Sequence, residues 1–134
     1  MPSVKKKRVC DSFALLAYLK KEAHFEKVKN LLSENDLQIY INDINIGEVY
    51  YILARERGIE SADFFIQIIL PSLPILRVEN SFQDVIEAAK IKAEFAISYA
   101  DCFAAMTAMK ENAALLTGDT DFKKIENLIE IEWI

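Results

Sequence analysis

Four carboxylates that are far apart in this chain have the residue type and the positions expected of groups that do chemistry. They are Asp11, Glu48, Asp101 and Asp119. A buried carboxylate without a partner is costly, so such groups are usually paired, hydrogen-bonded or bound to a metal. Four that converge without a basic partner would repel one another unless a cation lay between them. The set therefore predicts a divalent metal site.

Three of these acids also have a purely structural interpretation. Asp11 directly precedes a helical pattern that begins at Ser12, so it can cap that helix. Asp101 follows Ser98 in the S-x-x-D pattern of a capping box. Asp119 lies in a turn-like segment, where capping a short helix would be enough to explain it. Taken one at a time, these interpretations compete evenly with a functional one.

Glu48 is harder to explain by structure alone. A helix places it on one face with Ile44 and Ile52, each four residues away, and we expect this apolar stripe to be buried. Arg55 could pair with Glu48 only by bending back across the helix. An acid on a buried stripe needs a partner or a function, so we favour a functional interpretation of Glu48. The separate structural interpretations of the other acids do not explain the joint pattern.

The elements that must position these acids alternate between strand and helix patterns. Strands are predicted at 6–10, 37–41, 75–78, 114–117 and 129–133. Helices are predicted at 12–21, 25–33, from Asn42 or Asp43 to Arg57, at 61–70 ended by Pro71, and at 81–94 and 98–111. Strands separated by helices indicate a three-layer α/β/α fold with a mostly parallel sheet of about five strands. In such sheets, sites form at the carboxyl ends of strands, where Asp11 and Asp119 would lie.

Composition narrows the function further. A length of 134 residues predicts one domain, 1–134, and 52% hydrophobic residues are ample for its core. Only three glycines are present, which excludes a Gly-rich phosphate-binding loop. The single histidine, His24, lies in a charged stretch, and Cys10 and Cys102 lack metal-type spacing. A zinc site or a histidine triad therefore lacks its parts, and the cysteines are expected to be reduced core thiols.

The net charge of −5 is unusual for a nucleic-acid-binding protein, but the charge is unevenly distributed. Residues 1–30 carry a net positive charge and the remainder is strongly acidic. Basic residues beside the expected site can contact phosphates, with ordinary solvated charge as the favoured alternative. They are Arg55, Arg57, Lys123 and Lys124. Tyr50, Tyr51 and Tyr99 can stack on bases, with core packing as the favoured alternative.

The chain is predicted to be soluble and cytoplasmic. The basic start, Lys5 to Arg8, is not followed by the apolar region of a secretory signal. The longest apolar run, 64–76, is short and interrupted by two prolines, so it does not suit a membrane span.

Four segments of the sequence, in this order, resemble the motifs of PIN-domain proteins, and the chain as a whole resembles the VapC-type toxins of prokaryotic toxin–antitoxin pairs. The segments are Val9-Cys10-Asp11-Ser12, Asn45-Ile46-Gly47-Glu48-Val49, Tyr99-Ala100-Asp101-Cys102-Phe103-Ala104-Ala105 and Leu115-Leu116-Thr117-Gly118-Asp119-Thr120-Asp121-Phe122. Each motif is loose alone, but the ordered set covers nearly the whole chain. The lysine-rich start departs from the family, whose members usually begin with an apolar strand.

The resemblance implies a metal-dependent endoribonuclease. The acids that match the family's motifs, Asp11, Glu48, Asp101 and Asp119, would hold one or two Mg²⁺ or Mn²⁺ ions, with Asp121 sharing or exchanging the role of Asp119. The hydroxyls of Ser12 and Thr117 would support that site. The resemblance also implies a cognate antitoxin, which lays a helix or tail across a groove, and a toxin homodimer. An alternative function is a non-catalytic PIN-like scaffold that binds RNA or protein, although such a scaffold need not keep four costly carboxylates.

Overall fold

A computed structural model describes residues 6–134, so Lys5, at the beginning of the predicted basic start, lies outside the described residues. The strands are β1 (Lys6–Cys10), β2 (Leu37–Asn42), β3 (Ile75–Val78), β4 (Ala114–Thr117) and β5 (Ile131–Trp133). The helices are α1 (Ser12–Leu19), α2 (Phe25–Leu32), α3 (Asp43–Arg57), α4 (Ile59–Phe64), α5 (Leu70–Ser72), α6 (Phe82–Glu94) and α7 (Tyr99–Glu111). A π-helical turn, Phe65–Ile69, joins α4 to α5, and a 3₁₀ helix, Thr120–Ile125, follows β4.

The five strands form one parallel sheet in the order β3-β2-β1-β4-β5, which confirms the predicted fold class. The chain leaves β1 toward β2 and β3, then returns to the other side of β1 to add β4. The order of the strands therefore reverses between β1 and β4. In a parallel sheet, this is the place where the carboxyl ends of neighbouring strands open a crevice.

Alternation along the strands divides the core into two halves. Val9 and Leu115 pack on one face of the sheet, against α6, α7 and the 3₁₀ helix. Cys10 and Leu116 point to the other face, against α1, α3 and α4. Successive side chains of a strand point to opposite faces, so each central strand contributes to both halves. Both cysteines are buried, as predicted, and burial raises the pKa of each thiol.

Local signals explain where the helices begin and end. The side chain of Asn42 accepts from the Ile44 amide and caps α3, and Gly58, with φ of 93°, ends it. The next helical segment differs from the prediction, because it begins at Ile59 and continues through Pro71 to Ser72. The backbone stays helical through the π-helical turn, so Pro71 lies in the last turn, before the extended residue Leu73.

Other boundaries differ from the predictions by a residue or two. α1 ends at Leu19 instead of residue 21, and β5 begins at Ile131 instead of residue 129. None of the helices within residues 6–134 is long and apolar enough to cross a membrane.

Candidate metal centre

Asp11 begins the site, at the point where β1 meets α1. Its Oδ1 accepts from the Ala14 amide at 2.9 Å, so it caps α1 as the structural interpretation predicted. Its Oδ2 accepts from the Thr117 hydroxyl at 2.5 Å. Each oxygen of a carboxylate has two lone pairs, so one bond to each oxygen leaves both able to accept another. Asp11 therefore serves as a cap and remains a possible ligand.

Thr117, at the end of β4, ties two of the predicted acids together. Its hydroxyl donates to Asp11 and accepts from the Asp119 amide at 3.0 Å. Asp119 in turn caps the 3₁₀ helix, because its Oδ1 accepts from the Asp121 amide at 2.9 Å. The side chain of Thr117 is fully buried, so this chain of hydrogen bonds fixes the turn against the neighbouring strand.

Three carboxylates come close together at this edge of the sheet. They are Asp101, Asp119 and Asp121, each with an oxygen within 4.8 Å of the other two. Asp101 is 8% exposed, Asp119 is half-buried and Asp121 is exposed. Asp101 comes from α7, on one face of the sheet, whereas the other two follow β4. The fold thus assembles the cluster from segments that are far apart in sequence.

Glu48 lies beside this cluster, although the reasoning that first singled it out is wrong in one respect. The buried face of α3 is formed by Asn45, Ile46, Val49 and Leu53. Ile44 is 41% exposed, so the stripe through Ile44 and Glu48 is not buried. Glu48 is half-buried, and its Oε1 accepts from the Ser12 hydroxyl at 2.5 Å. The predicted supporting hydroxyls, Ser12 and Thr117, therefore each hold one predicted acid.

The pKa values of two acids reflect burial and mutual repulsion. Burial is the main cause that raises the pKa of Asp11 to about 7, opposed by the hydrogen bonds from Thr117 and Ala14. The charges of Asp101 and Asp119 add to that rise. Burial also raises the pKa of Asp101 to about 6, opposed by the Ser98 hydroxyl and assisted by the charges of Asp119, Glu48 and Asp121. The predicted acids therefore share one electrostatic environment.

This donor set fits a divalent cation. Across residues 6–134, no lysine or arginine forms a salt bridge with Asp11, Glu48, Asp101 or Asp119. Asp121 lies 3.8 Å from Lys124, and both side chains are exposed. All the ligand atoms are carboxylate oxygens, which suit Mg²⁺ and Mn²⁺. A cation at this place would offset both the burial of these charges and their mutual repulsion.

Asn45, which connects α3 to α7 beside the acids, was not singled out by the sequence analysis. Asn45 is fully buried, and its Nδ2 donates at 3.1 Å to the carbonyl of Ala100, the residue before Asp101. Its Oδ1 has no hydrogen-bond partner within residues 6–134. This contact ties α3, which carries Glu48, to the first turn of α7. An asparagine three residues before Glu48, on the same helical side, was the available signal.

The predicted phosphate-binding residues have mixed surroundings. The Arg55 guanidinium lies over the Tyr51 ring at 5.0 Å, and Arg57 lines an apolar groove formed with α1 and α4. Lys124 donates to the Ala96 carbonyl at 2.9 Å, so its ammonium already has a partner. Lys123 is exposed beside the cluster in sequence. Of these two lysines, Lys124 is therefore the one with a contact inside the protein.

The tyrosines also differ from the favoured expectation of core packing. Tyr50 is half-buried, and its hydroxyl donates to Asp63 at 2.6 Å. Tyr51 and Tyr99 are 44% and 45% exposed. Core packing is therefore wrong for the latter two.

Three solved structures have the same architecture as this chain. VapBC2 from Rickettsia felis, bound to a promoter DNA fragment, is 23% identical with a TM-score of 0.72, covering 96% of this chain and 99% of that one. The sarcin-ricin loop cleaving toxin VapC20 from Mycobacterium tuberculosis is 16% identical with a TM-score of 0.73, covering 87% and 92%. DNA-bound VapBC from Salmonella typhimurium is 20% identical with a TM-score of 0.71, covering 95% and 97%. At these identities the likeness shows the fold.

Sequence comparison gives the family. None of the curated proteins matches the chain. The profile of the PIN domain family, however, matches residues 8–128, which include all five acids of the site. The chain therefore belongs to the PIN domain family.

Proposed function

We propose that this protein is a metal-dependent endoribonuclease that hydrolyses phosphodiester bonds in RNA, and that it is the toxin of a toxin–antitoxin pair. The observation that carries the proposal is the cluster of Asp101, Asp119 and Asp121, with their oxygens within 4.8 Å and Glu48 and Asp11 beside them. One solved relative in fold is described as a toxin that cleaves the sarcin-ricin loop, which supports RNA as the substrate class.

The ligands of the ion would be Asp101 and Asp119, with Asp11 and Glu48 completing the set. Asp121 is more exposed and can share or exchange the role of Asp119. When bound, Mg²⁺ or Mn²⁺ lowers the pKa of a coordinated water and stabilises the charge that builds up on the phosphate. One or two ions fit this set of donors equally well.

The hydroxyls and the asparagine keep this arrangement rigid. Ser12 holds Glu48, and Thr117 holds Asp11 together with the backbone of Asp119. Asn45 fixes the distance between α3 and the start of α7. Carboxylates fixed before the substrate arrives need little rearrangement when the ion and the phosphate bind, and such preorganisation lowers the barrier.

We infer the protein partners of this chain from its family and from one apolar groove on its surface. The solved relatives include toxin–antitoxin complexes, VapBC2 and VapBC. The groove between α1, α3 and α4 has a volume of about 300 Å³, and an amphipathic helix in an apolar groove is a common mode of recognition. Phe64 and Ile68 of the adjoining segment are 54% and 56% exposed, whereas Phe65 is buried. We propose that the antitoxin binds at this groove. A homodimer and a cytoplasmic location are proposed from the family alone.

The decisive experiment is cleavage of total cellular RNA by purified protein freed of any antitoxin. Reactions with Mg²⁺, with Mn²⁺ and with chelator would be compared for wild type and Asp119→Asn. We expect discrete products that require metal and decrease in the variant. A folded wild-type protein that cleaves no RNA with either ion would overturn the nuclease and favour the non-catalytic scaffold. Cleavage that persists in chelator would overturn the metal dependence.

A further inference from the structure

Several basic residues of this chain are engaged in internal contacts. Salt bridges hold Arg8, Lys20, Arg77, Lys90 and Lys110. Lys92 and Lys124 donate to the carbonyls of Ile97 and Ala96, in the loop before α7. Neutralising phosphates with free cations is the usual source of RNA affinity. Stacking of bases on aromatic rings is the main uncharged source of affinity and adds to what the remaining cations supply.

One aromatic ring lies at the acidic site without a role in the core. Phe13 is two residues after Asp11, in the first turn of α1, and it is 39% exposed. Its ring approaches the backbone of Gly118, because a Cβ added there would lie 2.3 Å from Cε1 of Phe13. Any residue other than glycine at 118 would therefore push the ring away. Since Gly118 stands between Thr117 and Asp119, the ring lies beside the acids.

Two other exposed aromatic residues near the acids have partners on their rings. The Arg55 guanidinium covers Tyr51, and Phe103 packs against Tyr99 with centroids 5.1 Å apart and planes at 71°. Within residues 6–134, Phe13 has neither an aromatic nor a cationic partner. An exposed apolar ring in a fixed position next to a polar site is a suitable surface for a flat, partly apolar group.

We propose that Phe13 is a stacking platform for an unpaired nucleobase of the RNA, adjacent to the phosphodiester held at the acids. The inference rests on the proposed nuclease function. A nucleotide carries its base and its phosphate together, so a ring beside the acids can engage both parts of one nucleotide. A base can stack on a side chain only where it has left a duplex. The RNA cut by this protein is therefore single-stranded at the cleavage site.

The first test compares variants on a short RNA that spans a cleavage site mapped in total RNA. Phe13→Leu removes the ring but keeps an apolar side chain, and we expect kcat/KM to fall by about tenfold. Phe13→Trp keeps a stacking surface and should retain the wild-type value. Phe82→Leu is the matched control, because Phe82 is also exposed and begins α6, which carries none of the proposed metal ligands. Thermal unfolding of each variant would verify its fold.

The second test removes the nucleobase that would stack on the Phe13 ring. RNAs with an abasic site on either side of the cleavage position would be cut by wild type and by Phe13→Leu. We expect one abasic position to slow wild type by about tenfold and to slow Phe13→Leu no further, which is the coupling of a direct contact. The wild-type measurement on abasic RNA tests the proposal even if Phe13→Leu is unstable.

The outcomes separate this inference from the proposed function. If wild type cleaves RNA but neither Phe13→Leu nor any abasic position changes kcat/KM, the platform is wrong and the nuclease stands. The same holds if Phe13→Leu weakens only the binding of a protein partner. If wild type cleaves no RNA, both the proposed nuclease function and the Phe13 stacking platform are wrong.

Discussion

Two helices of this protein begin with the same S-x-x-D pattern, but the carboxylates of their aspartates make different contacts. α6 begins with Ser81-Phe82-Gln83-Asp84 and α7 with Ser98-Tyr99-Ala100-Asp101. Both serines cap their helix by accepting from the amide of the aspartate. Both aspartates are 8% exposed. The exposed fraction and the local sequence are therefore matched, and the difference between the two acids must come from the groups packed around each carboxylate.

At α6 the carboxylate of Asp84 stabilises the fold. Asp84 accepts from the Ser81 amide, which closes the capping box, and it forms a salt bridge with Lys110 at 3.0 Å. The Ser81 backbone is the main cause that lowers the pKa of Asp84, with Lys110 contributing. At α7 the described residues show neither the returning bond from the Ser98 amide nor a basic partner for Asp101.

The comparison teaches how a structural acid can be told from a functional one. Asp84 has a pKa that its contacts lower, whereas burial and neighbouring acids raise that of Asp101 to about 6. A carboxylate whose ionised form is satisfied stabilises the fold. One whose ionised form is unsatisfied, in a cluster of like charges, is a candidate for function.

The largest difference expected between the two helices is in RNA cleavage. Asp101→Asn removes a proposed metal ligand, and the loss of several kcal/mol of transition-state stabilisation should slow cleavage by at least about a hundredfold. Asp84→Asn makes the same chemical change at the same burial and should cleave at the wild-type rate. Initial rates on one RNA with saturating Mn²⁺ would measure both. Equal rates for the two variants would break the comparison.

Metal binding should separate the variants next. A ligand that binds only the folded protein, present at a hundred times its Kd, stabilises the fold by about 2.7 kcal/mol. We expect Mn²⁺ or Mg²⁺ to raise the melting temperature of wild type and of Asp84→Asn, and to leave Asp101→Asn nearly unchanged. Thermal unfolding with and without chelator reads this out independently of RNA. A similar increase in all three proteins would mean that the ion binds elsewhere.

Without metal, the two substitutions should change stability in opposite directions. Asp84→Asn weakens a capping box and removes a salt bridge, and should lower the free energy of unfolding by about 1–2 kcal/mol. Asp101→Asn removes a charge that is repelled by Asp119 and Glu48, so stability should be retained or increased. Urea unfolding in chelator would compare the midpoints. A larger loss for Asp101→Asn would show that this acid has a structural partner.

The sequence predicted the elements well because their signals are local. Gly58 at the end of α3 and Ser98 at the start of α7 act on residues within one turn. Pro71 misled for the same reason, because the backbone stays helical through a π-helical turn and the helix ends only after Pro71. Local rules therefore fail where an irregular turn lies within a helix.

The site was only partly predictable, because its contacts join distant segments. The four acids could be chosen from their types and places, but S-x-x-D alone cannot distinguish Asp84 from Asp101. That distinction depends on Lys110, which reaches Asp84 from the end of α7. Asn45 and Phe13 were missed because their roles depend on Ala100 and Gly118, far along the chain.

The last expected effect is the pH dependence of stability in the absence of metal. Asp11 and Asp101 have pKa values raised to about 7 and about 6 in the folded protein. Between about pH 4 and those values the folded state binds more protons than the unfolded state, so stability should decrease as pH rises. Asp84 has the opposite sign: its lowered pKa adds stability that is present above about pH 4 and is lost in stronger acid.

Melting temperatures measured in chelator from about pH 4 to about pH 8 would therefore sharpen the comparison. We expect the wild-type melting temperature to decrease by several degrees across this range. Asp101→Asn should flatten the lower part of the curve, up to about pH 6, and leave the part due to Asp11. Asp84→Asn should lower the whole curve without changing its slope. A wild-type curve that rises through this range would mean that Asp11 and Asp101 are satisfied in their ionised form, as Asp84 is at α6.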